Sequence, residues 1–124
     1  MAEPESSDII VVHNCYYANP GQAEAVYQWR LHACEVRAQL GFPRGRVLRR
    51  FQEAGEGEEK ARPDVIWECT YPSLSAREQD AKAVEATPEF RAVMQHMRTL
   101  IRSFDRQLWR VDASTSLHHD ASTS

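Results

Sequence analysis

Three side chains with titratable or hydrogen-bonding groups follow one another in the segment SDIIVVHNCYY, residues 7–17: His13, Asn14 and Cys15. Adjacent residues of an extended strand point to opposite faces, so His13 and Cys15 share one face and Asn14 takes the other. The triplet therefore cannot act as one catalytic cluster. A buried polar side chain needs a hydrogen-bond partner, supplied either by neighbouring backbone or a second subunit, or by the water or ligand of a cavity. The sequence leaves both interpretations open.

A second set of candidate side chains lies in the segment DVIWECTY, residues 64–71. Trp67 and Tyr71 share one strand face, where they either pack in the core or form the aromatic wall of a cavity with the phenol as a polar contact. Glu68 faces the other way, and an ion pair is its expected state because a buried carboxylate needs a cation. The candidate partners are Arg49, Arg50, Arg77 and Arg110.

His96 lies at the margin of a helical apolar stripe. A histidine there is either a half-exposed helix residue or a general base or haem ligand that reaches between helix and sheet. The predicted catalytic residues are therefore Asn14, Trp67, Tyr71 and His96. The predicted ligand-binding residues are His13, Glu68 and Arg77.

His13, Asn14 and Cys15 belong to a strand predicted at residues 8–17. This strand is rich in β-branched residues, which occur on both of its faces. A helix follows it and extends to Leu40. Asn19 is a good N-cap for this helix, Pro20 suits the first helical position, and Gly41 ends the helix as its C′ residue.

Two further strands are predicted at residues 45–52 and 64–71. The segment EAGEGEEKARP, residues 53–63, joins them as a charged, glycine-containing connection. This pair of strands carries Trp67, Glu68 and Tyr71.

The second helix opens with a capping box formed by Ser75 and Glu78. Pro88 interrupts this helix, because a proline disfavours helical geometry at the residue before it. The apolar stripe continues to Phe104, and a fourth strand is predicted at residues 105–111.

This order predicts an α+β fold of the ferredoxin-like β-α-β-β-α-β type, an antiparallel four-stranded sheet with two helices on one face. The first and third strands, central in this topology, carry apolar side chains on both faces. Soluble monomers rarely expose such large apolar patches. We therefore expect a homodimer through the sheet face, in which the two sheets pack into a barrel-like core.

The chain has 124 residues, 42% of them hydrophobic and 27% charged, and a formal net charge of −3. This predicts one domain at residues 8–112, flanked by disordered polar tails at 1–7 and 113–124. Weak acidity predicts no nucleic-acid partner, and no apolar run is long enough to span a bilayer. The predicted location is the cytoplasm, because the acidic N-terminus is unlike a signal peptide.

Cysteine is present three times, as Cys15, Cys34 and Cys69. An odd count without short spacings argues against a disulfide framework and against a zinc site, so we expect buried free thiols and no metal. The chain also lacks glycine-rich phosphate loops and the G-x-S-x-G and H-E-x-x-H motifs.

The segment DVIWECTYPSLSAREQDAKAVEATPEFRAVMQHM resembles the second half of the dimeric α+β barrel superfamily, which includes NIPSNAP-like proteins and antibiotic-biosynthesis monooxygenases. The residues that carry the resemblance are Trp67, Glu68, the Pro72–Leu74 step, Arg77 and the TPEF break at Thr87–Phe90. The first half of the chain matches by element order only. The resemblance implies the ferredoxin-like fold and the dimer.

The resemblance also implies two kinds of activity. The haem-degrading branch of the superfamily uses an Asn, a Trp and a His on the elements that carry Asn14, Trp67 and His96, but its Trp lies near the strand end, where this chain has Tyr71. The cofactor-free monooxygenases need an apolar cavity for a polyphenolic substrate and a few polar groups that stabilise its anion.

From these observations we predict a small-molecule-binding protein without a cofactor. The enzyme hypothesis is a cofactor-independent monooxygenase that acts on aromatic or polyketide-like compounds. A non-catalytic dimeric module that binds a ligand or a protein, and a haem-binding protein, are the alternatives.

Overall fold

The computed structural model describes residues 8–51, 62–112 and 114–115. Its elements in chain order are β1 (Ile10–Ala18), α1 (Ala23–Gln39), β2 (Arg46–Arg49), β3 (Val65–Tyr71), α2 (Leu74–Glu85), α3 (Pro88–Leu100) and β4 (Ile101–Arg110). This order confirms the predicted α+β, ferredoxin-like fold. The predicted tails lie outside the described residues apart from 114–115, and so do residues 53–61 of the predicted connection.

The four strands form one antiparallel sheet in the order β2-β3-β1-β4. Asn14 is paired with Trp67 on one side and with Arg106 on the other, and His13 is paired with Glu68 and Gln107. Because paired residues project from the same face of a sheet, these registers divide the strands into a face covered by helices and a face without helices.

The core lies between the sheet and the helices. Val12, Tyr16, Val26 and Met97 are each exposed by 1% or less. A second buried cluster joins α1 to α2 and α3 through Ala33, Val84, Phe90 and Val93. The helices therefore cover one face of the sheet, as predicted.

The predicted start of the first helix is wrong by three residues. Gly21 adopts a left-handed conformation with φ of 76°, so a turn precedes the helix, and Gln22 rather than Asn19 is the N-cap. The Asn19 side chain donates instead to the carbonyl of Thr99. At the other end, Gly41 follows the C-cap residue with φ of 88°, as predicted for a C′ glycine.

The predicted capping box of the second helix is also displaced. The N-cap of α2 is Ser73, whose hydroxyl accepts a hydrogen bond from the amide of Ala76 at 3.0 Å. The predicted break at Pro88 is confirmed. Thr87 caps α3 by accepting from the amide of Phe90 at 3.2 Å, and Pro88 occupies the first turn.

The predicted boundary between the last helix and the last strand is wrong. α3 ends at Leu100, and β4 begins at once with Ile101, so Ile101 and Phe104 belong to the strand. Phe104 is paired with Tyr16 of β1. The spacing of apolar residues in this segment fits either a helix or a strand, and pairing with β1 makes it a strand. β2 is likewise shorter than predicted, and Phe51 lies beyond it with 98% of its surface exposed.

The face without helices is mixed in character. Val11, Tyr17 and Ile66 are half-buried on this face, and Trp109 is 54% exposed. A polar pair, His13 and Glu68, lies at its centre. The prediction that both faces of the central strands carry apolar side chains therefore holds only in part.

Two sequence expectations concern absences. Within residues 8–51, 62–112 and 114–115, no helix combines the length and the apolar character needed to cross a membrane. Cys15, Cys34 and Cys69 are buried free thiols, and burial raises the pKa of Cys15 and of Cys69 above the ordinary thiol value.

Candidate functional site

A cavity of about 80 Å³ lies on the helix-covered side of the sheet, between β1, β3, α1 and α2. Its polar and charged lining residues include Asn14, Arg30, Arg37, Trp67, Tyr71 and Arg106. Three of the four predicted catalytic residues, Asn14, Trp67 and Tyr71, are thus brought together, and the predicted ligand-binding residue Arg77 also lines this space.

Trp67 is fixed from three sides. The guanidinium carbons of Arg30 and Arg37 lie 4.9 Å and 4.6 Å from the centre of the indole ring, which is the distance of a cation–π contact. The indole Nε1 donates to the carbonyl of Arg44 at 3.0 Å. Gly45 allows this close approach, because a Cβ there would lie 2.4 Å from Nε1.

Tyr71, Asp80 and Arg37 form a buried polar cluster. Asp80 Oδ2 accepts from the Tyr71 hydroxyl and from Arg37 Nη2, both at 2.6 Å, while Arg37 Nε donates to the carbonyl of Pro43 at 2.6 Å. Burial, followed by the hydrogen bond to Asp80, raises the pKa of the Tyr71 phenol far above its ordinary value. The Tyr71 hydroxyl is therefore held as a hydrogen-bond donor to Asp80.

Arg30 is 2% exposed and forms no ion pair with any described residue. Its Nη1 donates to the Tyr16 hydroxyl at 3.1 Å, whereas its Nε and Nη2 are buried without a hydrogen-bond partner among the described residues. A buried guanidinium whose donors are unpaired is costly, so Arg30 is the least satisfied charge in the cavity.

Neither buried arginine of α1 is among the residues predicted for the site. The buried residues Val26, Arg30, Ala33 and Arg37 follow the 4-3-4 spacing of one helix face, so the arginines occupy core positions. The spacing of apolar residues does not select these two positions, because arginine is normally a surface residue. The regular spacing of Arg30 and Arg37 within that face was the signal that could have identified them.

Asn14 lines the cavity beside Arg106. Its Oδ1 accepts a hydrogen bond from Nε of Arg106 at 2.8 Å, and Arg106 belongs to the exposed edge strand β4. Of the residues His13, Asn14 and Cys15, Asn14 therefore faces the helices. The side chains of His13 and Cys15 project from the other face of the sheet.

A groove of about 530 Å³ adjoins the cavity between α3 and β4. The two spaces share Tyr16, Glu85, Phe90, Met94 and Arg106 as lining residues. Further along, the groove is lined by apolar side chains of Met97, Ile101 and Phe104. A small cavity that includes several charged side chains therefore continues into a larger, mainly apolar groove, as is typical of sites for organic ligands.

The charges around the cavity are unbalanced. Arginine lines it four times, as Arg30, Arg37, Arg77 and Arg106, and carboxylates line it twice, as Asp80 and Glu85. The whole chain has the opposite sign, with a formal net charge of −3. A cleft with this local excess of positive charge attracts anions.

The structure does not bring His96 to the cavity. The His96 ring is exposed and contacts the Trp29 ring on α1, with ring centres 4.3 Å apart. No histidine occurs among the described residues that line the cavity, so these residues do not fit a haem held by His96. Within the described part of the chain there is also no group of three or more His, Cys, Asp or Glu side chains that could hold a metal ion.

His13 and Glu68 lie on the sheet face opposite the cavity. Glu68 accepts from His13 Nε2 at 2.9 Å and from Arg46 Nε at 2.5 Å. An ion pair was predicted, but the partner is Arg46 and none of the four expected arginines. Burial alone would raise the pKa of the Glu68 carboxyl, but the hydrogen bonds from His13 and Arg46 outweigh it and lower this pKa.

The expected arginine partners have other contacts. Arg49, Arg50 and Arg110 pair with Glu24, Asp64 and Asp8, and Arg77 lines the cavity.

Three solved structures show which proteins share this fold. A NIPSNAP family protein from Agrobacterium tumefaciens has a TM-score of 0.60 at 16% sequence identity, covering 90% of this chain and 92% of that chain. A candidate antibiotic biosynthesis monooxygenase from Bacteroides thetaiotaomicron has a TM-score of 0.52 at 14% identity, with 88% and 91% covered. A dimeric protein of unknown function with a ferredoxin-like fold from Bacteroides fragilis has a TM-score of 0.59 at 13% identity, with 83% and 96% covered.

No protein-family profile and no curated protein sequence matches the chain. At these identities the structural likeness shows the fold and not the activity. The predicted resemblance is therefore confirmed at the level of the fold, which this chain shares with NIPSNAP proteins and with antibiotic biosynthesis monooxygenase-like proteins.

Proposed function

We propose that the protein binds a small organic molecule in the cavity and groove between its sheet and its helices. The observation that carries this proposal is the continuity of the two spaces: a small cavity with a buried guanidinium, two of whose nitrogens have no partner among the described residues, adjoins a groove of about 530 Å³ with mainly apolar walls. The volume of the groove lies within the range of about 300–1,000 Å³ that is typical of small-molecule sites.

The enzyme hypothesis that best fits this site is a cofactor-independent monooxygenase acting on an aromatic or polyketide-like compound. Asn14 and Arg106 would contact the oxygen anion of the ionised substrate, and Trp67 and Tyr71 would form the wall behind it. His96 has no part in this arrangement because it lies outside the cavity.

The chemistry can be written with dioxygen as the only co-reactant. In an anthrone, loss of a proton to solvent gives the enolate, which the positive lining stabilises. The CH₂ carbon becomes a carbonyl, one oxygen atom of O₂ enters the product, and the other leaves as water with the two hydrogens of that carbon. The substrate supplies all four electrons.

Oxygen uptake by the purified protein with anthrone in air tests this hypothesis. We expect uptake to fall at least about tenfold in Asn14→Ala, because a hydrogen bond to a charged group is lost, and to be unchanged in His96→Ala. Thermal stabilisation by anthrone without oxygen uptake would favour the non-catalytic binding module. If anthrone and other aromatic compounds gave neither uptake nor stabilisation, the proposed function would be wrong.

We also propose that the protein is a homodimer through the helix-free face of its sheet. Half-buried Val11, Tyr17 and Ile66 and the exposed Trp109 lie on this face. A second copy would cover them, and one of the structures with this fold is described as dimeric. In this arrangement the ligand cavity lies on the other face of the sheet and remains open.

A further inference from the structure

We propose that Arg30 is the receptor for a carboxylate group, so that the ligand is an aromatic or otherwise apolar monocarboxylate. This inference rests on the proposed small-molecule site and names the chemistry of its ligand. It depends on the burial, the hydrogen bonds and the charge surroundings of one side chain.

The charge of Arg30 is uncompensated within the described residues. The one buried carboxylate of the cavity, Asp80, is already bound by Arg37 and by the Tyr71 hydroxyl. Arg30 itself is 2% exposed, and its hydrogen-bond partner is the neutral hydroxyl of Tyr16. Contact with the Trp67 ring offsets part of the desolvation cost, but it leaves the positive charge in place.

The free donors of Arg30 match a planar anion. Nε and Nη2, the two atoms without a partner, form one edge of the guanidinium group and carry parallel N–H bonds. Carboxylates bind to such an edge through both of their oxygens. The remaining nitrogen, Nη1, donates to the Tyr16 hydroxyl, and the guanidinium carbon lies 4.9 Å from the centre of the Trp67 ring, so these two contacts hold the group in place.

The volumes of the cavity and of the groove fit a ligand with two parts, a small carboxylate and a larger apolar body. At about 80 Å³, the cavity beside Arg30 accommodates a carboxylate or a few water molecules but no extended ring system. The apolar groove of about 530 Å³ accommodates the body of the molecule. The excess of arginines over carboxylates around the cavity favours the anion over its neutral amide or ester.

The test is a calorimetric titration of the full chain with 2-naphthoate and with its neutral isostere 2-naphthamide. The variants are Arg30→Met, Arg30→Lys and Arg49→Met, the last a control that removes an exposed arginine paired with Glu24 and absent from the cavity lining. We expect one 2-naphthoate per chain, bound at least about tenfold more tightly than 2-naphthamide.

In Arg30→Met this preference for 2-naphthoate should disappear, whereas Arg49→Met should retain it. Arg30→Met should also melt no lower than the unchanged protein, because an unpaired buried charge is replaced by an apolar side chain. If Arg30→Met fails to fold, Arg30→Lys decides: it keeps the charge but lacks the fork, so 2-naphthoate should bind more weakly.

Several results would overturn the assignment. Equal affinities for 2-naphthoate and 2-naphthamide, or undiminished 2-naphthoate binding to Arg30→Met and Arg30→Lys, would remove Arg30 as the receptor but leave the proposed binding site intact. Displacement of 2-naphthoate by millimolar inorganic phosphate would make the site one for phosphate. Failure of both probes to bind the unchanged protein, together with failure of anthrone, would contradict the proposed function as well.

Discussion

Arg30 and Arg37 lie two helical turns apart on the same face of α1, yet only the charge of Arg37 is compensated by a carboxylate among the described residues. Arg37 is paired with Asp80, and removal of one partner of such a buried pair leaves an isolated charge. Arg30 has no such partner in the described chain and depends on Tyr16 and Trp67. A residue that lowers the stability of the ligand-free protein in this way is typical of a functional site.

The contact of Glu68 with His13 and Arg46 gives a pH-dependent contribution to stability. The pKa of Glu68 is lowered in the folded chain from its ordinary value of 4.5, so its contribution is complete above that pH and is lost as the pH falls through the folded-state pKa. Glu68→Gln should therefore lower the free energy of unfolding at pH 7 by about 1–2 kcal/mol, and by less at pH 3.

Urea unfolding at the two pH values measures this difference, with the exposed Glu78→Gln as the matched control. A loss in Glu68→Gln that is equally large at pH 3 and pH 7 would show that the ionised carboxylate is not the cause.

At the residue scale, strand periodicity sufficed to place Trp67 and Tyr71 together and to separate Asn14 from His13. The sequence did not show which face of β1 lies against the helices, because apolar residues occur on both faces of this strand. The sequence left the exposure of His96 open, because a residue at the margin of a helical stripe faces either the sheet or solvent after a small rotation of the helix. Arg30 escaped detection because arginine is normally a surface residue, although its helical spacing with the buried residues Val26 and Ala33 was a usable signal.

At the scale of elements, the order of strands and helices was predictable because apolar spacing and the break at Pro88 are local signals. The boundaries were less predictable. The start of α1 depends on the left-handed conformation of Gly21, and the start of β4 depends on its ladder with β1, which is a contact between distant parts of the chain.

The loop between α1 and β2 positions the cavity wall through Gly45. An alanine there would be strained by the φ of 69° and would place its Cβ 2.4 Å from Trp67 Nε1. We expect Gly45→Ala to lower the free energy of unfolding by at least about 2 kcal/mol and to change the Trp67 fluorescence.

Gly41→Ala is the matched control, because Gly41 has φ of 88° but no atom within 4 Å of the added Cβ. Its cost should be about 1 kcal/mol, without a change at Trp67. Equal losses in the two variants, measured by urea unfolding, would show that contact with Trp67 does not constrain Gly45.

At the scale of the whole molecule, the two faces of the sheet differ in their side chains and in what covers them. One face carries the helices and the arginine-lined cavity, and the other carries Val11, Ile66, Trp109 and the His13–Glu68 pair. Dimerisation through the second face would bury apolar surface without covering the first.

Sedimentation equilibrium at micromolar concentration tests the proposed dimer. We expect a species of twice the 14.2 kDa chain mass for the unchanged protein and a monomer for Trp109→Asp, because a carboxylate would be buried in the interface. Leu74→Asp, on the exposed surface of α2, should remain dimeric. A monomer in the unchanged protein would exclude this interface.

The central claim, that the cavity on the helix side of the sheet is a ligand site, is tested most directly by the three indole N–H signals in a nitrogen-15 NMR spectrum. Trp67 lines the cavity, Trp29 lies between α1 and α3, and Trp109 lies on the other face of the sheet. On titration with 2-naphthoate, the Trp67 signal should shift to saturation while the Trp29 and Trp109 signals stay in place. A saturable shift at Trp29 or Trp109 with none at Trp67 would contradict the account.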